Sequence, residues 1–367
     1  MAGRIVLFGA TGYTGELTAR AMVARGTRPV LAARNAERLG RLAGELGGLE
    51  TQVADVSRPE SVRALVERGD VLVSTVGPFK RFGVPAVEAA VDAGAHYLDS
   101  TGEGTFIRAV FERYGPQASR AGVGLLTAMG YDWVPGNLAG ALALREAGAA
   151  ATRADVGYFA PGGGGFAPSG GTRASAVGIA LDPSFAWRGG RLVTEPAGRR
   201  VRSFTLRPGR EAPAVSAGSS EAFALPRVFP GVQDVGVYLG WFGPVSRVLP
   251  AVSVVASAAG RVPGLRAAVD AVAERFVTGS TGGPDAAARA RTRSLIIAEA
   301  FDAAGARLAE VRVEGANPYD VTAGLLAWGA ERAAAGELRG AGALGPVDGF
   351  GLEALLAGAA EAGLHRG

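Results

Sequence analysis

An α/β fold, in which an amino-terminal parallel sheet is followed by a second α+β domain with a mixed or antiparallel sheet, is what this sequence predicts. Three observations predict it. The apolar run Arg4-Ile5-Val6-Leu7-Phe8 feeds a Gly9-Ala10-Thr11-Gly12-Tyr13-Thr14-Gly15 turn and then a helical pattern, with Leu17, Ala21 and Met22 on one face. Short apolar segments then alternate with helical ones as far as Thr127. After Gly130 this rhythm gives way to runs of strand character joined by turn residues.

Each element has its own justification. The second strand is Pro29–Ala33, followed by a helix over Ala36–Leu46. Leu49–Ala54 is the third strand, and Ser57, Pro59 and Glu60 mark a helix start with Ser57 as N-cap. Asp70–Val76 is a strongly apolar fourth strand, Val84–Ala93 a helix and Ala95–Asp99 the fifth strand. Phe106–Arg120 is a longer helix and Val123–Thr127 the sixth strand. Strands alternating with helices at short spacing imply a parallel sheet covered on both faces, and right-handed crossovers make it Rossmann-like.

Beyond the helix Pro135–Arg145, antiparallel strands are expected at Ala154–Phe159, Arg191–Thr194, Val201–Leu206 and Val235–Trp241. Ser294–Phe301 and Leu308–Val313 flank Asp302-Ala303-Ala304-Gly305-Ala306, a hairpin signal. Helices are expected near Val245–Ala259 and Val262–Val277, and again over Tyr319–Ala335 and Phe350–Ala362. The expected organisation is a nucleotide-binding domain over residues 1–128 and an α+β substrate or dimerisation domain over 129–318. The helices of 319–367 are expected to pack back on the first domain.

Composition narrows the chemistry. The 367 residues suffice for about two domains. There is no cysteine, which excludes disulfides, thiolate nucleophiles and Cys-ligated zinc. His96 and His365 are the only histidines, so a His-based metal site or a Ser-His-Asp triad is not expected. The net charge of +4 comes from arginines that are spread along the chain without interleaved aromatics, which argues against a nucleic-acid partner. Met1-Ala2-Gly3 runs straight into the first strand, and no apolar run is long enough to span a bilayer, so a cytoplasmic location is expected.

A strand, a Gly-x-x-Gly-x-x-Gly turn and a helix form the context of a dinucleotide site. Gly9 permits the tight turn, Gly12 lets backbone approach a pyrophosphate, and Gly15 lets the helix pack on the strand. Thr11, Tyr13 and Thr14 share that turn. Arg34 and Asn35 follow the second strand, where NAD sites carry a carboxylate for the ribose 2′-hydroxyl. Its absence, with Arg34 available for a 2′-phosphate, favours NADPH over NADH. Asp55 and Val56, after the third strand, are placed beside the adenine, and Asp55 is equally suited to be a helix cap.

Thr75, Val76, Gly77, Pro78 and Phe79 lie at the end of the fourth strand, on the crevice side of the sheet. Phe79 is either a wall of the nicotinamide site or a core plug under the loop. Lys80, the only lysine, is a candidate proton donor or anion anchor. Asp99, a candidate catalytic residue, Thr101, Gly102, a candidate cofactor contact, and Glu103 close the fifth strand at the same edge, and His96 reads as structural. With Lys80 as the only lysine, preceded at residue 76 by Val, the Tyr-x-x-x-Lys pair of ketone-reducing short-chain enzymes is excluded. Polarised C=C and C=N acceptors, which need less help from a side-chain acid, become the expected substrates.

The glycine turn, Gly77-Pro78-Phe79 and Tyr97-Leu98-Asp99-Ser100-Thr101-Gly102-Glu103 together resemble the saccharopine dehydrogenase-like oxidoreductases. The nearer resemblance is to the branch of trans-acting enoyl reductases of actinobacterial lipid and polyketide pathways. It continues through Gly130-Tyr131-Asp132-Trp133-Val134-Pro135-Gly136-Asn137-Leu138 and Ser169-Gly170-Gly171-Thr172 with Ser175. Later landmarks are Gly283-Pro284 with Arg289 and Arg291, then Asn317-Pro318-Tyr319 with Thr322-Ala323. The Arg-Ser-Asn-Ala-Leu-like segment of enoyl reductases is not evident; Val237–Phe242 stands near its place. The resemblance implies the fold, an NADPH cofactor and a small or carrier-bound substrate. It places Tyr131 and Asp132 where the chain crosses between domains, Tyr131 as a proton donor and Asp132 as a brace. Ser169, Thr172 and Trp241 become candidate substrate residues, with a homodimer through the second-domain sheet as a further option. The competing reading is a non-catalytic NADP(H)-binding sensor or scaffold.

Overall fold

The computed structural model describes residues 3–161, 183–241, 246 and 282–367. The helices expected near 245–259 and 262–277, and candidates Ser169 and Thr172, lie outside the described residues. The chain forms two compact units: Met1–Gly102, Phe106–Val134 and Pro318–Leu364 make the first, and Glu103–Thr105, Pro135–Asn317 and His365–Gly367 the second.

The first unit is built on β1 (Ile5–Phe8), β2 (Val30–Ala33), β3 (Thr51–Val53), β4 (Val71–Ser74), β5 (His96–Asp99), β6 (Gly124–Leu126) and β15 (Gly342–Ala343). They form one sheet in the order β15-β6-β5-β4-β1-β2-β3, and every pair is parallel. β1, β2 and β4 are buried at every position, as continuous apolar runs in a parallel sheet should be. α1 (Tyr13–Ala24), α5 (Val84–Ala93), α7 (Gly115–Ala121) and α11 (Pro318–Ala334) pack on its strands. The strand order reverses direction between β4 and β1, and in sheets of this kind ligands bind at such a switch point, outside the carboxyl ends of the strands.

Two expectations in this unit need correction. α3 (Pro59–Arg63) has Arg58 as its N-cap, without a side-chain bond. The Ser57 hydroxyl instead donates to Asp55 Oδ1 at 2.8 Å. The helix expected over 106–120 is α6 (Gly104–Ala109), a π turn (Val110–Tyr114) and α7. Pro116 has no N–H for an α-helical bond, and the wider turn before it absorbs the break.

The second unit has α8 (Val134–Ala147), β7 (Arg153–Phe159), β8 (Ser184–Arg188), β9 (Arg191–Glu195), β10 (Val201–Arg207), β11 (Arg210–Ser216), α9 (Glu221–Val228), β12 (Asp234–Leu239), α10 (Ala286–Arg291), β13 (Ser294–Phe301) and β14 (Arg307–Gly315). β16 (Leu364–Arg366) joins its sheet, which runs β10-β11-β12-β7-β13-β14-β16. β8 pairs with β12 and β9. The expected hairpin forms: Asp302 Oδ1 accepts from Ala306 N at 2.8 Å. β12 and β7, expected to be antiparallel, are parallel neighbours; the chain between them includes the hairpins β8–β9 and β10–β11, as a parallel pair needs a long connection.

Arg312 of β14 donates to Thr205 O and Leu206 O of β10, at 2.7 and 2.8 Å. Strands far apart in the order therefore meet, and the sheet curls around Phe159, Phe204, Ala214, Tyr238, Leu295 and Ile297. Beside this core, Arg202 pairs with Asp155 and Glu299. On the opposite face Tyr158 donates to Glu221 Oε1 at 2.7 Å and accepts from Gly136 N at 2.8 Å.

Candidate functional site

The carboxyl edge of the parallel sheet gathers the residues that the sequence singled out. After β1, Gly9 adopts φ +91°, where side chains are disfavoured. Its N–H and that of Ala10 both donate to Ala32 O, at 2.8 and 3.1 Å, tying the turn to β2. A Cβ on Gly15 would collide with the Gly9 carbonyl and lie 2.9 Å from Ala10 Cα, so only glycine lets α1 sit on the turn. α1 starts at Tyr13, and its N-cap, Gly12, makes no side-chain capping bond. The first-turn N–H groups of such a helix have no acceptor within it, which suits a diphosphate.

At the ends of β2 and β3, Arg34 is exposed and Asn35 caps α2 (Ala36–Glu45), its side chain accepting from Arg38 N at 2.8 Å. Asp55 accepts from both Ser57 N and Ser57 Oγ at 2.8 Å. These bonds, with Arg34 and Arg58 nearby, hold its carboxyl below the usual range. Val56 beside it is half-buried. Sequence reasoning missed Arg38, whose Nη2 donates to Thr11 O at 3.0 Å. One helical turn after Arg34 (a spacing visible in the sequence), it reaches back to the glycine turn. A groove of about 110 Å³ lies there, lined by Thr11, Glu16, Arg38, Arg41, Leu42 and Glu45.

Past β4, Thr75 Oγ1 lies 3.2 Å from both Phe8 O and Gly9 O, so it braces the glycine turn. Val76, Gly77 and Pro78 are half-buried, and the Gly77–Pro78 peptide is cis. Of the two readings for Phe79, the structure favours the core plug: it is 5% exposed, with its ring 5.5 Å from that of Phe106. Lys80 is exposed.

The ends of β5 and β6 are joined through Asp99. This fully buried carboxylate accepts from Thr101 N at 2.9 Å, Thr127 Oγ1 at 2.8 Å and Ala128 N at 2.8 Å. Burial pushes it up to about 6, against the pull of those three donors and the neighbouring Tyr97. Ala128 has φ +61°, the only described non-glycine residue with positive φ, and Asp99 holds it there. Asp99 is thus committed to binding two backbone segments together.

Those segments flank Asp132. A Cβ on Gly102 would lie 2.9 Å from Asp132 Oδ2. Asp132 Oδ1 is sealed from solvent without a hydrogen-bond partner among the described residues, and burial pushes the carboxyl up to about 7. Its neighbour Tyr131 is 2% exposed, and the Tyr131 N–H donates to Thr322 Oγ1 at 3.0 Å. Asp132, read from the sequence as a brace, therefore braces nothing through Oδ1; the bracing carboxylate is Asp99. Trp241, half-buried, belongs to the second unit.

The glycine turn fits a dinucleotide, and the end of β2 fits its 2′-phosphate form: glycines where a Cβ would collide, an uncapped helix start, and arginine without a carboxylate. No group of His, Cys, Asp and Glu able to hold a metal occurs among the described residues. None of the described helices is long and apolar enough to cross a membrane.

Comparison with known proteins agrees. Residues 5–126 match the saccharopine dehydrogenase NADP binding domain family. A trans-acting enoyl reductase of Mycobacterium ulcerans is 39% identical over 140 residues, which is 36% of this chain and 34% of that protein. The Mycobacterium tuberculosis H37Rv protein of the same name matches to the same extent. The match thus spans about a third of the length of these relatives. The whole chain shares its fold with apo saccharopine dehydrogenase (L-Glu forming) from Saccharomyces cerevisiae, at a TM-score of 0.60 and 12% identity, covering 100% of this chain and 99% of that one. The residues matched to that NADP-binding domain family, 5–126, include the glycine turn and the ends of β2, β4 and β5 described above.

Proposed function

We propose that this chain is an NADPH-dependent reductase of a polarised double bond, with an α,β-unsaturated thioester as acceptor and Asp132 as the proton donor. The observation that carries this reading is the Asp132 carboxyl, which burial pushes up to about 7 and one oxygen of which meets no hydrogen-bond partner among the described residues. Bound reduced nicotinamide supplies the hydride. The protein's own part is to hold a proton at an Asp132 oxygen for the carbon next to the thioester carbonyl, while hydride reaches the carbon beyond it. The carboxylate left behind is reprotonated from solvent. The relatives' name, trans-acting enoyl reductase, supports a C=C acceptor, whereas an imine would accept the same proton at nitrogen. The first turn of α1 would hold the diphosphate, and Arg34 with Arg38 the 2′-phosphate.

The test is NADPH oxidation, followed by absorbance, with crotonyl and longer enoyl thioesters of pantetheine and of a carrier domain. Turnover of a thioester by the wild type, and its loss in Asp132→Asn, is the expected result. NADPH binding without oxidation by any thioester would refute it. Turnover of imines alone would move the acceptor to C=N and keep the proton donor.

A further inference from the structure

One helix touches both the glycine turn and the acid turn. In the first turns of α11, Thr322 Oγ1 donates to Pro318 O at 2.8 Å and accepts from Tyr131 N at 3.0 Å. The hydroxyl proton is thus used on its own helix, and a lone pair on the turn that carries Asp132. Gly130 makes the approach possible, since a Cβ there would lie 2.9 Å from Thr322 Cγ2. Three residues earlier, Tyr319 meets Tyr13, the first residue of α1. Their ring centroids are 5.1 Å apart and their planes 88° apart, an edge-to-face pair. The rest of α11 is anchored: Leu325, Leu326, Ala327 and Trp328 are all fully buried. A single stretch of rigid helix therefore spans from the phosphate-binding turn to the turn of the acid.

We propose that Tyr319 and Thr322 are positioning residues, through which α11 fixes the Asp132 turn relative to the glycine turn, so that nucleotide binding and proton delivery share one support. The Thr322 arm rests on the reading of Asp132 as proton donor; the Tyr319 arm rests only on nucleotide binding.

Four variants of the full chain test it: Thr322→Val, which keeps the shape and deletes the acceptor, Thr322→Ser, which restores it, Tyr319→Leu and Tyr319→Phe. Calorimetry with NADP+ and steady-state reduction of an enoyl thioester are the readouts, with Asp132→Asn run alongside. Thr322→Val should lower kcat at least tenfold and leave the thioester KM within about twofold, and Thr322→Ser should return kcat to within about threefold of wild type. Tyr319→Leu should weaken NADP+ about five- to tenfold, and Tyr319→Phe should bind like wild type. If Thr322→Val does not fold, a wild-type kcat in Thr322→Ser still supports the hydroxyl's role, and a collapsed kcat there overturns it. If Asp132→Asn is inactive while Thr322→Val turns over normally, the positioning role is wrong and the acid stands. If Asp132→Asn is fully active, the acid falls and the Thr322 arm with it. Unaltered NADP+ affinity in Tyr319→Leu overturns the Tyr319 arm.

Discussion

Asp132→Asn should uncouple activity from stability. The folded carboxyl loses its proton at about pH 7, against 3.8 for an ordinary aspartate. Between those values the folded state binds more protons than the unfolded chain, so this group's contribution to stability falls as pH rises. From pH 5 to pH 8 the linkage amounts to about 2–3 kcal/mol lost by the wild type. Asparagine is neutral throughout and does not share that loss. Asp99, which also sits above its ordinary value, is present in both proteins and cancels in the difference.

Urea denaturation at pH 5 and pH 8 measures the effect. The Asn variant should gain about 2–3 kcal/mol on the wild type between the two pH values, while thioester reduction falls about 10²–10⁴-fold, the usual worth of a positioned acid. The reasoning fails if the two proteins show parallel stability profiles and similar turnover. It fails equally if Asn costs the same stability at both pH values, the signature of a brace.

Arg34→Ala should weaken NADPH about tenfold or more and leave NADH nearly unchanged, as calorimetry with both coenzymes would show; equal losses would refute a 2′-phosphate contact. Gly15→Ala should abolish coenzyme binding and cost about 2 kcal/mol or more, because the new methyl meets backbone at 2.8–2.9 Å rather than a yielding side chain, and melting with and without NADPH reads both effects. His96 Nδ1 accepts from Gly124 N at 3.0 Å, and burial lowers its pKa below 6.5. The neutral ring's contribution is complete above pH 6.5 and drains away as pH falls, so His96→Gln should flatten the acid side of a Tm–pH curve relative to wild type.

The dinucleotide half of the fold was legible because its signals are local. The central strands β1, β2 and β4 of the parallel sheet are continuous, nearly all-apolar runs, and the glycine turn sits between β1 and α1 in sequence as it does in space. Chemistry at the strand ends follows from where each strand stops. Legibility failed where a distant residue decides. Ser57 was read as a cap from local spacing, but its hydroxyl turns to Asp55. The parallel pairing of β7 with β12 is set across two intervening hairpins, and Arg312 of β14 closes on β10 over 106 and 107 residues of sequence. No periodicity in a short window carries such information.

The acid shows the same division more sharply. The surroundings of Tyr131 and Asp132 depend on a left-handed residue at Ala128, which Asp99 holds from 29 residues away, and on Thr322, which holds Tyr131 N from 191 residues away. With those partners supplied, the roles assigned from the motif separate. Asp99 has the buried donors that make a carboxylate structural. Asp132 has a sealed oxygen, Oδ1, with no donor among the described residues. A fold gains nothing from such a group: serine or asparagine would serve a turn there without the penalty of a buried carboxyl. A carboxyl kept at that penalty, at the edge of the sheet where the nucleotide turn also lies, supports the proposed reading of Asp132 as the proton donor.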